Sequence, residues 1–233
     1  AITALHSHYN LLLVFRERSI EAVTGSYPNF VSGNVSNNIG CVGPNATVAV
    51  PGLGVMFIAK DGIYLVSGGF EGGSQVEVTR LSDVVMDTWR DVNDAQLSRA
   101  VCSYSPKWRE VHFYVPTSGE DRPNLGIVFH QDKQCFSIRR GFPVGCITTT
   151  PEGDFVFGHN KGVEDSATDE YGLFVISRTR HAGYASRDTV ESVILYADAP
   201  TSKFHSPALD FGAPEVKKYV KYVYLYILTT GGD

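Results

Sequence analysis

No stretch of the 233 residues approaches the run of about 18 apolar residues that a membrane-spanning helix needs. The first fourteen residues also lack the cationic start and small-residue cleavage pattern of an export signal. The expectation is a soluble chain with no visible secretion signal. Charge is sparse at 19%, with a net charge of −5, and the basic residues are scattered except for Arg16 to Arg18, Arg139-Arg140 and Lys217-Lys218. A nucleic-acid binder concentrates Lys and Arg on one face to neutralise phosphates, so tight nucleic-acid binding is not expected. The four cysteines, Cys41, Cys102, Cys135 and Cys146, are far apart and form no CxxC pair or Cys/His cluster. Zinc ligation is therefore unsupported and the cysteines read as buried free thiols. Asn34-Val35-Ser36 and Asn45-Ala46-Thr47 match the glycosylation triplet, which matters only in a secretory context.

The usual catalytic signatures are missing as well. There is no Gly-x-Ser-x-Gly elbow, no HExxH and no Ser/His/Asp ordering. Gly52-Leu53-Gly54 and the run Gly68 to Gly73 lack the Gly-Lys-Ser/Thr ending of a phosphate loop and read as turns. His6 and His8 would share a strand face, but no third metal ligand accompanies them. The acidic run Glu164 to Glu170 has the oxygen donors Ca²⁺ favours but no central Gly or defined loop spacing; it reads as a solvated hairpin tip. Lys60-Asp61-Gly62 resembles a fragment of the Asp-box turn of sialidase propellers, without its Ser and Trp. No catalytic, cofactor-binding or metal-ligating residue is assigned, no cofactor is expected, and the chain is not expected to be an enzyme.

What is abundant is strand and turn material: 23 Gly, 12 Tyr and 13 Phe against only 2 Met. One pattern recurs, an apolar strand, a turn, and a second strand rich in aromatic and β-branched residues. It starts at Leu11, Val55, Val111 and Phe155, with spacings of 44, 56 and 44 residues. Propeller blades recur at roughly 40 to 50 residues. In the second copy Asp61-Gly62 is read as a hairpin turn in which Gly accepts a positive φ. The long interval holds Leu81, Val84, Val85, Thr88, Trp89 and Val92 at helical spacing, which predicts one inserted amphipathic helix over 81–92. A strand at Val190 to Ala197 and a long, little-charged strand from Lys217 to Thr230 follow. The expectation is all-β: a β-propeller or partial propeller over 1–233, with four blade repeats and one inserted helix. Ala1 and the last residues both abut strands, so the chain reads as a piece of a longer protein.

Several segments also resemble a known family. Asn10 to Val23, then Ile39-Gly40-Cys41-Val42-Gly43-Pro44-Asn45 and Val55 to Leu65, are similar to the first recognisable blade and the following turn of tail nozzle and head-closure proteins of short-tailed bacteriophages. The similarity continues through Trp89, Asn93, Tyr104-Ser105-Pro106, Tyr114-Val115-Pro116 and Leu209 to Pro214. That resemblance implies a virion structural protein, part of a ring of identical copies, six-fold by expectation. The ring would lie below portal and adaptor proteins in the genome-ejection channel, touching passing DNA without gripping it. It implies assembly in the host cytoplasm and residence in the phage tail, without membrane insertion. Family members are much longer, so this chain would carry only their propeller region. The alternatives are a glycan-binding or glycan-cleaving, sialidase-like propeller at the virion tip and a cellular propeller scaffold.

Overall fold

The structure is a computed structural model that describes residues 1–68, 76–140, 143–159, 173–176, 185–187, 193–194 and 202–205. The expected acidic loop at 164–170 and the long strand at 217–230 lie outside the described residues.

The described chain is all-β, arranged as four antiparallel sheets. The first is a meander of β1 (Ile2–His8), β2 (Leu11–Arg16), β3 (Ile20–Ser26) and β4 (Asn29–Ser36). The second repeats it with β5 (Thr47–Val50), β6 (Gly54–Ala59), β7 (Gly62–Ser67) and β8 (Glu77–Arg80). The third contains β9 (Val101–Ser105), β10 (Glu110–Val115), β11 (Leu125–His130) and β12 (Cys135–Arg140). The fourth contains β13 (Val144–Thr149), β14 (Phe155–His159), β15 (Leu173–Ile176), β16 (Ala185–Arg187) and β17 (Val193–Ile194). The last described strand, β18 (Ser202–His205), returns to pair with β12 as a fifth strand of the third sheet.

The four recurring hairpins of the sequence are the middle pairs of these sheets: β2–β3, β6–β7, β10–β11 and β14–β15. The middle strands β6 and β10 are covered on both faces and buried at every position, and they read as continuous apolar runs with no polar alternation. The first strands lie side by side, β1 against β5, β5 against β9 and β9 against β13. No closed ring of sheets is detected among the described residues.

Two cores hold the sheets together. One lies among the first three sheets and centres on Leu13, Phe15, Phe57, Val111 and Phe113, with the Phe15 and Phe57 rings 5.1 Å apart and Tyr64 stacked on Phe57. The other joins the third and fourth sheets through Val101, Tyr114, Val144, Phe155 and Phe157. Each fully buried Phe contributes about 1.5–3 kcal/mol through its burial.

The segment Ile39 to Asn45 knits the first three sheets together. The Cys41 amide donates to Arg16 O at 2.9 Å, the Val42 amide to Ile58 O at 3.0 Å, and Asn45 O accepts from the Cys102 amide at 2.9 Å. A Cβ at Gly40 would overlap the backbone of Arg16, Glu17 and Arg18, so only glycine lets the segment approach that turn so closely.

Two local expectations are corrected. The predicted single helix over 81–92 is a 3₁₀ turn at Ser82–Val85 followed by α1 (Met86–Trp89), and a second 3₁₀ helix spans Asp94–Arg99. The helix stops early because the next residues are claimed by the sheet. Val92 bridges Thr117 and the Asn93 amide donates to Pro116 O at 2.9 Å. Its predicted face is nevertheless the packed one: Val85, Thr88, Trp89 and Val92 are buried, and only Val84 is exposed. The second correction concerns Gly62, which pairs with Ala59 at the start of β7, beyond the two-residue turn of Lys60 and Asp61. The expected positive φ is present, at 158°, and glycine also leaves room for the Ser82 hydroxyl, which accepts the Ile63 amide at 3.0 Å.

Candidate functional site

The third sheet carries chemistry that the sequence did not signal. In β10 the period-2 alternation sends Val111, Phe113 and Val115 into the first core and turns Glu110, His112 and Tyr114 to the other face. The register places His130 of β11 opposite Glu110, and Ser137 of β12 opposite Val128. Those pairings collect Glu110, His112, His130 and Ser137 on one face, toward the second core.

The four side chains form one continuous chain of contacts. Glu110 Oε1 lies 2.9 Å from His130 Nδ1 and Oε2 lies 3.2 Å from His112 Nε2. On its far side, His130 Nε2 lies 2.9 Å from Ser137 Oγ. Glu110 and His112 are 1% and 0% exposed. The His112 ring stacks on Phe155 at a centroid distance of 3.8 Å, and Trp108 meets Phe155 edge-on at 5.4 Å.

Burial holds the His112 imidazole well below its ordinary pKa, reinforced by the charges of Arg139 and His130. Burial also lowers His130, with help from Arg139 and Lys133. Both rings are thus favoured as neutral imidazoles. An ionised Glu110 is acceptor-only, which assigns Nε2–H of His112 and Nδ1–H of His130 as donors to it. The bare Nε2 of His130 then accepts the Ser137 hydroxyl, while His112 Nδ1 is buried without a hydrogen-bond partner. Serine, imidazole and carboxylate in that sequence form the chain that activates a nucleophile in acyl transfer. They equally satisfy a buried carboxylate, which is costly when left alone.

Two cavities among the described residues lie elsewhere. One of about 210 Å³ is lined by residues including Pro44, Thr47, Cys102 and Cys146, and one of about 340 Å³ by residues including Ser98, Arg99 and Arg122. They share Asn45 and Val101, so both sit where the first strands of the second, third and fourth sheets converge. Neither is lined by Glu110, His130 or Ser137.

The residues singled out in the sequence fall into structural roles. His6 and His8 do share a face of β1; His8 Nε2 is 3.0 Å from Gly68 O, and His6 is lowered by burial and by His8. Among the described residues no group of three His, Cys, Asp or Glu is placed to hold a metal. Asp61 accepts from the Tyr64 hydroxyl at 2.7 Å, and burial together with Asp61 pushes that phenol up to about 12. Asp154 pairs with Lys107 at 2.7 Å. Of the cysteines read as buried, Cys41 and Cys135 are, Cys102 is half-buried and Cys146 is exposed. Cys146 departs from the expectation because it lies on β13, a first strand whose middle residues face solvent. Burial pushes Cys41 up to about 11, so that thiol is held in its unreactive protonated form. Arg140 pairs with Asp91 at 3.4 Å, and Arg139 acts on the histidines of the buried face.

No family model matches the chain and no curated protein matches it. Among solved structures it is similar to a 2S albumin seed protein from Dolichos, at 11% identity over 80% of this chain and 94% of that one, with a TM-score of 0.36. A likeness of that size bears on neither fold nor function.

Proposed function

We propose that this chain is a β-propeller, or an arc of one, that serves as a structural subunit of a short-tailed phage tail. The observation that carries the architectural part is the succession of four meanders whose first strands lie side by side. Blades stacked around an axis bring their first strands together in this way, and the steps of 44, 56 and 44 residues between middle hairpins, the long one holding the helical turns, fit the same repeat. The phage assignment is supported by the motifs shared with tail nozzle and head-closure proteins, among them Ile39 to Asn45, the segment that ties three sheets to one another.

In this reading the protein works by its surfaces: copies of itself in a ring, portal and adaptor proteins above, and DNA passing through. Rigid sheets with exposed loops supply large preformed contact surfaces at little ordering cost. The test is class averaging of the purified protein and of intact particles by electron microscopy. A ring of copies in the tail below the portal supports the reading, and a protein absent from purified virions overturns it.

The observation that favours the enzymatic rival is the Ser137, His130 and Glu110 chain. That chain of contacts is one half of a hydrolytic site, which also needs a substrate cavity opening onto Ser137 and donors for a developing oxyanion.

A further inference from the structure

The segments that lead into three neighbouring first strands line a charged pocket that none of the roles described above explains. Asn45 lies just before β5, Ser98 and Arg99 end the 3₁₀ helix before β9, and Gly145 is the second residue of β13. With Val101, Arg122 and Pro123 they line the cavity of about 340 Å³, toward the lower end of the range of about 300–1,000 Å³ that small-molecule sites occupy. Among the described residues lining it the charged ones are Arg99 and Arg122, in a chain whose net charge is −5.

Both guanidinium groups are held by one carboxylate outside the lining. Arg99 donates from one terminal nitrogen to the Asp121 carbonyl oxygen at 3.0 Å and to its Oδ2 at 3.1 Å, and Arg122 Nε lies 4.0 Å from Oδ1. Two positive charges against one negative leave the pair cationic. The Arg99 contacts use a single nitrogen, and a guanidinium carries five N–H donors in a fixed fork. The backbone around the pocket is tied down as well. A Cβ at Gly43 would overlap Ser98 O, the Val144 amide donates to Pro123 O at 3.0 Å, and the Cys102 amide donates to Asn45 O at 2.9 Å. A frame set before binding lowers the ordering cost of a ligand.

The donor set selects the occupant. A carboxylate offers two oxygens and one charge, which a single guanidinium fork satisfies. A phosphate monoester offers three terminal oxygens and about −1.5 to −2 charges at pH 7, which suits two forks. The cavity of about 210 Å³ shares Asn45 and Val101 with the charged one and continues it along Pro44 and Ile147, walls without charge. We propose that this pocket binds a small phosphate monoester, with Arg99 and Arg122 on its phosphate and an uncharged body along Pro44, Val101 and Ile147. The inference stands on the pocket and does not depend on the phage assignment.

Titration of the isotope-labelled protein with phenyl phosphate at fixed ionic strength, followed through amide chemical shifts, tests it, with phenylacetate as the carboxylate control. Saturable shifts are expected in the amides of Ser98, Arg99, Arg122 and Gly145, and phenylacetate is expected to bind at least tenfold more weakly. Arg99→Gln and Arg122→Gln are each expected to weaken phenyl phosphate binding at least tenfold, the scale of one charge-assisted hydrogen bond. Their side chains are 51% and 46% exposed, so both variants should melt as wild type does. If Arg99→Gln, which loses the Asp121 contact, melts lower, Arg122→Gln carries the test. No saturation at millimolar phenyl phosphate, equal affinity for the two probes, or undiminished binding by a variant that melts as wild type each overturns the proposal.

Discussion

Glu110 and His130, on neighbouring strands and directly opposite in register, are joined by a 2.9 Å contact between Oε1 and Nδ1, on the polar face of the third sheet. The carboxylate is almost fully buried, and with His112 on its other oxygen it is satisfied by side chains. Removing it exposes two imidazoles to a site shaped for an acceptor. Glu110→Ala is expected to destabilise the fold by about 3 kcal/mol, the scale for breaking a buried, hydrogen-bonded pair. Urea denaturation with the slope held fixed measures it.

The same cluster makes stability depend on pH. The pKa values of His112 and His130 are both lowered in the folded state, so the unfolded chain binds more protons in the window beneath the ordinary histidine value of about 6.5. Stability is then fully present above that value and falls as pH drops through it toward the folded pKa values. The thermal midpoint is expected to fall by on the order of a few degrees per pH unit between neutral and mildly acidic solution. His112→Phe should flatten that slope, as read by calorimetry across a pH series.

A fluorophosphonate probe decides whether Ser137 is a nucleophile. The expected outcome is no covalent labelling, with Ser137→Ala costing at most about 1 kcal/mol of stability for one lost hydrogen bond. Labelling of Ser137 that disappears in His130→Ala, read by intact mass, would promote the hydrolase over the structural protein.

Two glycine substitutions should behave in opposite ways. Gly40→Ala drives a Cβ into the backbone of the Arg16 to Arg18 turn, and a loss of more than about 2 kcal/mol is expected. Gly33→Ala, where nothing lies within 4 Å of the added atom, should change stability by no more than about 0.5 kcal/mol. Paired thermal melts compare them.

Filter binding of duplex DNA should give weak retention that salt abolishes. The basic pair Arg139-Arg140 is committed to the buried face and to Asp91, and the net charge is −5, so few counterions are available for release. Retention that survives physiological salt would contradict it.

The middle hairpins of all four sheets were legible in the sequence as paired apolar runs, most plainly where both faces are covered, as in Val55 to Ala59 and Val111 to Val115. The residues that pack the 81–92 segment were legible too, through their helical spacing. Edge strands such as β4, β8 and β13 were not, since half-exposed backbone accepts Ser, Thr, Asn and Gly as readily as valine. The helix ended early for a tertiary reason: Val92 and Asn93 gain hydrogen bonds to Thr117 and Pro116 that local propensity does not register. The polar cluster was hidden for another. Glu110, His130 and Ser137 are as many as 27 positions apart and meet only once hairpin register sets three strands side by side. Composition and periodicity determined that this chain would be β-sheet, and where its hairpins would turn. Register and sheet-to-sheet packing, which depend on contacts distant in sequence, decided which polar side chains share a face.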